Sequence, residues 1–281
     1  MDAKLLALYG LKFNPFGQSL PAEALLLTPR VDAFCWRVEQ LVREGGFACV
    51  TGDPGTGKSV ALRLLTDRLA PHRDVRVAVL IRPQSAVADF YRELGALFGV
   101  PLHPHNRRAG ANALRTAWLD HIERARVRPV LIVDEAQEMK SLVLAELRLL
   151  SSERLDTSNL LTIVLAGDHR LSPRLRTSEL RPILSRVRTH LTMPSADIDE
   201  LRRALDRLLG AAGAPHLLTD ALKHTLAEHA AGNYRALTAM GAELLAAAVR
   251  GEHKQIDEAL FFEVFGVPSA GPTERAAAAR A

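Results

Sequence analysis

Apolar residues in this chain follow two rhythms. Five short strand-like runs recur: "FACVTG" (47–52), "VRVAVLI" (75–81), "PVLIVDE" (129–135), "LLTIVLAG" (160–167) and "RTHLTM" (188–193). Between them lie stretches with helical spacing, such as "SVALRLLTDRLA" (59–70) and "VADFYRELGALFG" (87–99). Continuous apolar strands separated by helices predict a parallel sheet covered on both faces. Past Pro194 the rhythm is helical throughout, over 197–213, 218–232 and 233–251, with a short last helix at 257–265. The first of these has acidic residues in its opening turn. Thr219 and Asn233 stand where the next two need N-caps, and Gly232 and Gly251 where they can stop. The fold class expected is α/β: a five-stranded parallel sheet flanked by helices, then a small all-helical domain. The expected division is an N-terminal segment at 1–46, a core at 47–194, a helical unit at 195–267 and a disordered tail at 268–281, where "SAGPTERAAAARA" is rich in small residues.

Composition narrows this little. The 281 residues are 48% hydrophobic and 24% charged, ordinary for a water-soluble globular chain. A net charge of +4 is compatible with a polyanionic partner. The two cysteines, Cys35 and Cys49, have no metal-ligand spacing and are expected buried and reduced. The N-terminus lacks the apolar region of a signal peptide, and no apolar run approaches the roughly 20 residues that span a bilayer. The reading is a cytoplasmic protein with no membrane partner.

"GDPGTGKS" at 52–59 fits G-x-x-x-x-G-K-[ST], and it sits where the motif has meaning, after a strand and opening a helix. The glycines let backbone N–H groups close around phosphate oxygens, and the helix N-terminus adds positive potential. Gly52, Asp53, Pro54, Gly55, Thr56, Gly57, Lys58, Ser59 and Val60 are therefore the candidate nucleotide-binding residues. Lys58 would reach the β- and γ-phosphates and Ser59 would bind Mg²⁺. In "VLIVDEAQEM" a strand delivers Asp134 and Glu135 at its C-terminal end, where ligands bind in open α/β sheets. Asp134 suits Mg²⁺. Glu135 suits orienting and deprotonating a water. An acidic pair after a strand is by itself an ordinary helix cap; with the phosphate loop at this distance it reads as catalytic. No N-K-x-D base-reading motif occurs, so ATP is expected rather than GTP.

Asp168 ends the next strand, which should lie beside the one bearing Asp134. It is equally a γ-phosphate sensor or a turn cap. Arg235, in "AGNYRAL", opens a helix of the helical unit and could fold over the phosphates. Arg181, Arg186 and Arg188 cluster just before the last strand, as surface charges, as groups facing nucleic acid or as groups that reach into a neighbouring subunit.

Loop, acidic strand, polar strand end, arginine before the fifth strand and helical lid together resemble the AAA+ P-loop ATPases. "YGLKFNPFG" looks like the N-terminal adenine-side segment of the ExeA-like branch, which implies a cofactor contact at Phe16. "GNYRAL" looks like that branch's "G-x-P-R-x-[IL]" lid motif, with Tyr234 in place of proline. "LSRVRTHL" is similar to the "SRC"-like box of clamp loaders, and Arg186 is the matching position. The resemblance implies that Arg186 reaches the γ-phosphate of an adjacent subunit. Asp168 departs from the family, where Asn, Thr, Ser or Gln is usual. An extra anion there would slow hydrolysis, which suits a timer better than a motor.

ExeA secretion ATPases are longer, with a transmembrane segment and a peptidoglycan-binding region. A chain that stops after the lid looks more like the transposition ATPases of the TniB, TnsC, IstB and MuB kind. That implies an ATP- and Mg²⁺-dependent homo-oligomer, a ring or filament on double-stranded DNA, that recruits a transposase and disassembles on hydrolysis. An arginine-rich stretch at 103–128 offers modest support, with Arg107 and Arg108 in an expected loop as first DNA-contact candidates, then Arg82, Arg115 and Lys140. For any one of these a solvated helix face is the commoner explanation. The alternatives are an ExeA-like envelope adaptor and a helicase loader or replication initiator. A small-molecule kinase fits poorly with the helical lid and Arg186.

Overall fold

The computed structural model describes residues 2–81, 83–100, 107–124, 126–153 and 158–266. The expected disordered tail at 268–281 lies outside them. Five strands, β1 (Gly46–Gly52), β2 (Val75–Leu80), β3 (Arg128–Val133), β6 (Thr162–Gly167) and β7 (Val187–Met193), form one sheet in the order β2-β3-β6-β1-β7, and every pairing is parallel. The expected neighbour relation is present, since β6 pairs with β3. A separate antiparallel pair, β4 (Ser152–Glu153) with β5 (Ser158–Asn159), was not foreseen.

Position in the sheet explains the strand patterns. Every residue of β6 is buried, as is β1 up to its last residue, whereas the edge strand β7 alternates buried and exposed positions. Successive residues of the central strands feed two apolar layers. Phe47, Cys49, Leu131, Val133, Ile163 and Leu165 point to one face, which is covered by α4 (Val87–Phe98), α5 (Arg107–Arg124) and α6 (Ser141–Ser151) with the short helices α7 (Leu171–Leu175) and α8 (Arg181–Leu184). Ala48, Val50, Ile132 and Val164 point to the other, beneath α2 (Pro29–Glu44) and α3 (Lys58–Leu69). Leu65, at the centre of that second layer, is fully buried; cutting such a leucine to alanine costs about 2–5 kcal/mol. Burial also pushes the Cys49 thiol up to about 12 and that of Cys35 up to about 11, so both stay protonated and unreactive near neutrality.

The chain divides into two compact units. One runs Leu27–Ser195; the other combines the chain up to Leu26 with the stretch from Ala196 onward. The sequence division had kept α2 outside the core, in the segment 1–46. Its stripe Val31, Phe34, Cys35, Val38, Leu41 and Val42 has helical spacing and packs on the sheet, so α2 belongs to the α/β unit.

In the other unit α1 (Asp2–Tyr9), α9 (Ile198–Ala212), α10 (Asp220–His229), α11 (Tyr234–Gly251) and α12 (Glu258–Phe265) share one core, built around Leu201, Leu205, Leu226, Leu244 and Phe261. Thr219 and Asn233 cap α10 and α11 as expected, and Asp197 and Asp257 do the same for α9 and α12. α11 runs through Gly251 and ends at Glu252, whose φ of 54° makes the left-handed turn expected one residue earlier. Tyr234, standing where the lid motif has proline, donates its hydroxyl to Glu200 Oε1 (2.6 Å) and ties α11 to α9. Among the described residues no helix is long and apolar enough to cross a membrane.

Candidate active site

The loop after β1 carries the geometry its glycines predict. Gly55 and Gly57 have φ of 85° and 94°, a region costly for other residues. Gly57 is the N-cap of α3, and no side chain caps that helix. Its first N–H groups therefore face outward with no side-chain cap, at the end carrying roughly half a positive charge. Lys58, only 7% exposed, curls back over the loop and donates from Nζ to the carbonyls of Gly52 (2.8 Å) and Asp53 (3.0 Å). Thr56 braces the turn by donating from Oγ1 to Asp53 O (2.8 Å). Together these make a cradle for a phosphate chain.

The acidic pair stands beside it. β3 ends at Val133, so Asp134 and Glu135 leave the sheet at the same edge as the loop. Ser59 donates from Oγ to Asp134 Oδ2 (3.2 Å), and Asp134 Oδ1 accepts from the N–H of Glu135 (2.9 Å). A hydroxyl and a carboxylate at this distance form the hard-oxygen donor set that suits Mg²⁺. Glu135 is exposed and holds φ 52°, ψ 39°, a conformation costing a non-glycine residue about 1–2 kcal/mol. Strain of this kind concentrates where geometry is constrained by function.

Asp168 is buried at the end of β6. Its carboxylate accepts from the N–H of Arg170 (2.9 Å) and from Arg170 Nε (2.8 Å), while Arg170 reaches on to Glu138 Oε1 (2.7 Å). Burial alone would raise its pKa, but the Arg170 bonds outweigh burial and hold it below the usual range. Of the two readings of Asp168, the turn cap is the one the geometry displays.

Two neighbours escaped the sequence reading. Gln137 bonds both Glu135 and the backbone of Asp168. Arg174 on α7 donates to the carbonyls of Gln137 and Met139, the latter at 2.7 Å, and so fastens the segment after Glu135. No local pattern announces either, because Asp168 lies 31 residues from Gln137 and Met139 lies 35 from Arg174.

The other candidates separate by position. Arg186 sits in the turn before β7, half-buried, donating from Nη1 to Pro182 O (2.6 Å). Arg181 is exposed at the start of α8, and Arg188 pairs with Glu44. Parallel pairing matches Val187 with Phe47 and Met193 with Gly52. From Phe47 to Gly52 is five residues, about 17 Å at 3.3 Å each, so Arg186 lies at the opposite edge of the sheet from its own phosphate loop.

Of the proposed DNA contacts, Lys140 is exposed, just before α6. Arg115 instead donates to Leu149 O (3.0 Å), fastening α5 to the end of α6. Arg107 and Arg108 open α5 rather than lying in a loop, and only their backbone is described. Arg82 lies outside the described residues. In the helical unit, Arg235 is exposed in the first turn of α11. Phe16 is 7% exposed and packs against Gly241, where a Cβ would come within 2.5 Å of its ring. That burial leaves little of the ring to meet a base.

Sheet order, phosphate loop and acidic strand end agree on one architecture, and comparison with known proteins joins them. The family described as an AAA domain matches residues 42–175. The chain has the AAA+ ATPase fold. The solved structures it resembles include Cdc6p from Pyrobaculum aerophilum (TM-score 0.70, 16% identity, 86% of this chain and 67% of that one) and Drosophila ORC bound to DNA (TM-score 0.69, 15% identity, 94% and 65%). At such identities the likeness speaks for the fold alone. In sequence, the chain is 31% identical over 274 residues to General secretion pathway protein A of Aeromonas hydrophila. The match takes in 94% of this chain but 49% of that protein, so the chain spans about half the length of its curated relative.

Proposed function

We propose that the chain is an ATP-hydrolysing switch that reaches full activity only when copies of it assemble. The observation that carries this reading is the place of Arg186, about 17 Å along the sheet from the phosphate loop of its own chain. A guanidinium there can complete a phosphate site only in a neighbouring copy. Within one chain, Lys58 and the open end of α3 bind the β- and γ-phosphates of ATP. Ser59 and Asp134 would hold Mg²⁺, which supplies charge neutralisation at the phosphate oxygens when bound. Glu135 orients the attacking water and takes its proton. The partner's Arg186-equivalent position adds transition-state charge stabilisation worth about 10³–10⁵ in rate when fully engaged.

For what the assembly acts on, two readings have support. One is a regulator of transposition that binds double-stranded DNA with little sequence preference and recruits a transposase. The net charge of +4 and exposed Lys140 favour it. The other is an envelope or secretion adaptor. Identity of 31% through 94% of the chain with General secretion pathway protein A supports it at least as well. A replication-initiator role rests on fold likeness only.

Two linked measurements test these readings. Arg186→Ala should bind ATP but lose assembly-stimulated hydrolysis by about tenfold or more. Mixing it with Lys58→Ala protein should restore activity, since each supplies what the other lacks; no restoration sinks the action in trans. Gel shift and electron microscopy on non-specific duplex, with a non-hydrolysable ATP analogue, ADP or no nucleotide, then separate the partners. Rings or filaments on DNA only in the triphosphate state favour the transposition reading. Absence of DNA binding in every state removes it and leaves the adaptor.

A further inference from the structure

The side chain of Gln137 joins two strand ends at the candidate site. It is 6% exposed, in the short turn Ala136–Glu138 after β3. Its Nε2 donates to Glu135 Oε2 (2.5 Å), and its Oε1 accepts from the N–H of Asp168 (3.1 Å). The orientation of the amide is forced: a backbone N–H only donates and a carboxylate only accepts. One planar group thus fixes the Glu135 carboxylate relative to the end of β6. The backbone under it is held as well, since Arg174 grips the carbonyls of Gln137 and Met139 and Arg170 bridges Glu138 to Asp168.

Gly167 carries a second, independent sign of the same arrangement. A Cβ there would stand 2.5 Å from Gln137 Oε1 and 2.9 Å from a methyl of Leu171. The last residue of β6 therefore has no side chain where the amide lies. Glu135, for its part, is a non-glycine residue in a left-handed conformation. A carboxylate on so unusual a backbone needs something to hold it, and the amide of Gln137 is in place to do so.

We infer that Gln137 is the positioning residue for Glu135, and that it couples the catalytic carboxylate to the end of β6. The inference rests on the reading of Glu135 as the base. It acts on the chemical step rather than on nucleotide affinity, because Gln137 touches the carboxylate and leaves the phosphate loop alone. Gly167 belongs to the same device by making room for it.

The test compares the parent chain with Gln137→Leu, Gly167→Ala, Glu135→Gln and the Glu135→Gln/Gln137→Leu double variant. ATP turnover is measured beside affinity for a fluorescent ATP analogue and the thermal midpoint. Gln137→Leu and Gly167→Ala should each lower kcat about tenfold or more while leaving nucleotide affinity within about twofold. Gly167→Ala presses on the flexible end of Gln137 and on Leu171, through a methyl and its Cβ, so the thermal midpoint separates lost position from lost packing. In the Glu135→Gln background, Gln137→Leu should add no further loss. Full turnover in both single variants, or an equal loss with and without Glu135, overturns the inference while the reading of Glu135 stands. Normal turnover in Glu135→Gln overturns that reading and the inference with it.

Discussion

The helix behind the phosphate loop and four helices of the other unit begin in opposite ways. α9, α10, α11 and α12 each start with Asp, Thr, Asn or Asp, and in each the side chain accepts a hydrogen bond from the first turn. Asn233 accepts from two N–H groups. α3 starts with a glycine in the left-handed region and has no side-chain cap. A capping oxygen would satisfy its amides and would also occupy the place where an anion binds. The four capped helices serve folding. The uncapped one keeps donors in reserve and relies for stability on Ala61, Leu62, Leu65 and Leu69 packed on the sheet. The missing side-chain cap is shared with α2, α4, α7 and α8; what sets α3 apart is the left-handed glycine at its start and Lys58 folded back over the loop.

The largest effect expected along this contrast belongs to Lys58. Its ammonium already spans two loop carbonyls, so it stands where phosphate oxygens would replace them. Lys58→Ala should lower ATP affinity by about 100-fold or more, read by titration with a fluorescent analogue. Retained tight binding would mean that the open end of α3 is no phosphate site and that its missing cap has another cause. A smaller effect comes from the capped side. Asp197→Ala should cost about 1 kcal/mol in urea unfolding of the helical unit. It should not create anion binding at α9, because that end has neither the glycine cradle nor a lysine. Phosphate protection of the variant against unfolding would show that any bare helix end suffices.

Much of this was readable from residue order. All five sheet strands fall within two residues of the expected runs; in β1, β3 and β6, buried nearly throughout, the signal is a continuous apolar run. The caps Thr219 and Asn233 were legible because capping is local chemistry. Misreadings came where the deciding contact is distant. α2 carries an evident apolar stripe, yet the sheet it packs on is built from residues up to Met193. Arg115 stands in a basic stretch that gives no sign of its bond to the carbonyl of Leu149, 34 residues on. Gln137 gives no sign in "DEAQEM" that it will face Asp168. The pair β4 and β5, two residues each, is too short for any period to register.

Asp168 supplies the smallest effect and the finest test of the contrast, because it is a capping carboxylate inside the α/β unit. It accepts from the N–H of Arg170 in the turn leading into α7 and also pairs with the Arg170 guanidinium. Its pKa is lowered in the folded protein, where the Arg170 bonds exceed the cost of burial. A carboxyl whose folded pKa lies below the unfolded one, about 3.9, adds stability that is present above that value. The contribution is lost as pH falls through the folded pKa. Unfolding curves taken from pH 6 down to pH 2 should show this loss in the parent chain and not in Asp168→Asn, which keeps an acceptor oxygen for the Arg170 N–H but cannot titrate. Turnover of the same variant decides between the two readings of this position. If Asp168 is only a cap, Asp168→Asn should hydrolyse ATP at close to the parent rate. If its charge also acts on the γ-phosphate, removing that charge should raise turnover, since an anion beside the phosphates slows the reaction and an asparagine does not.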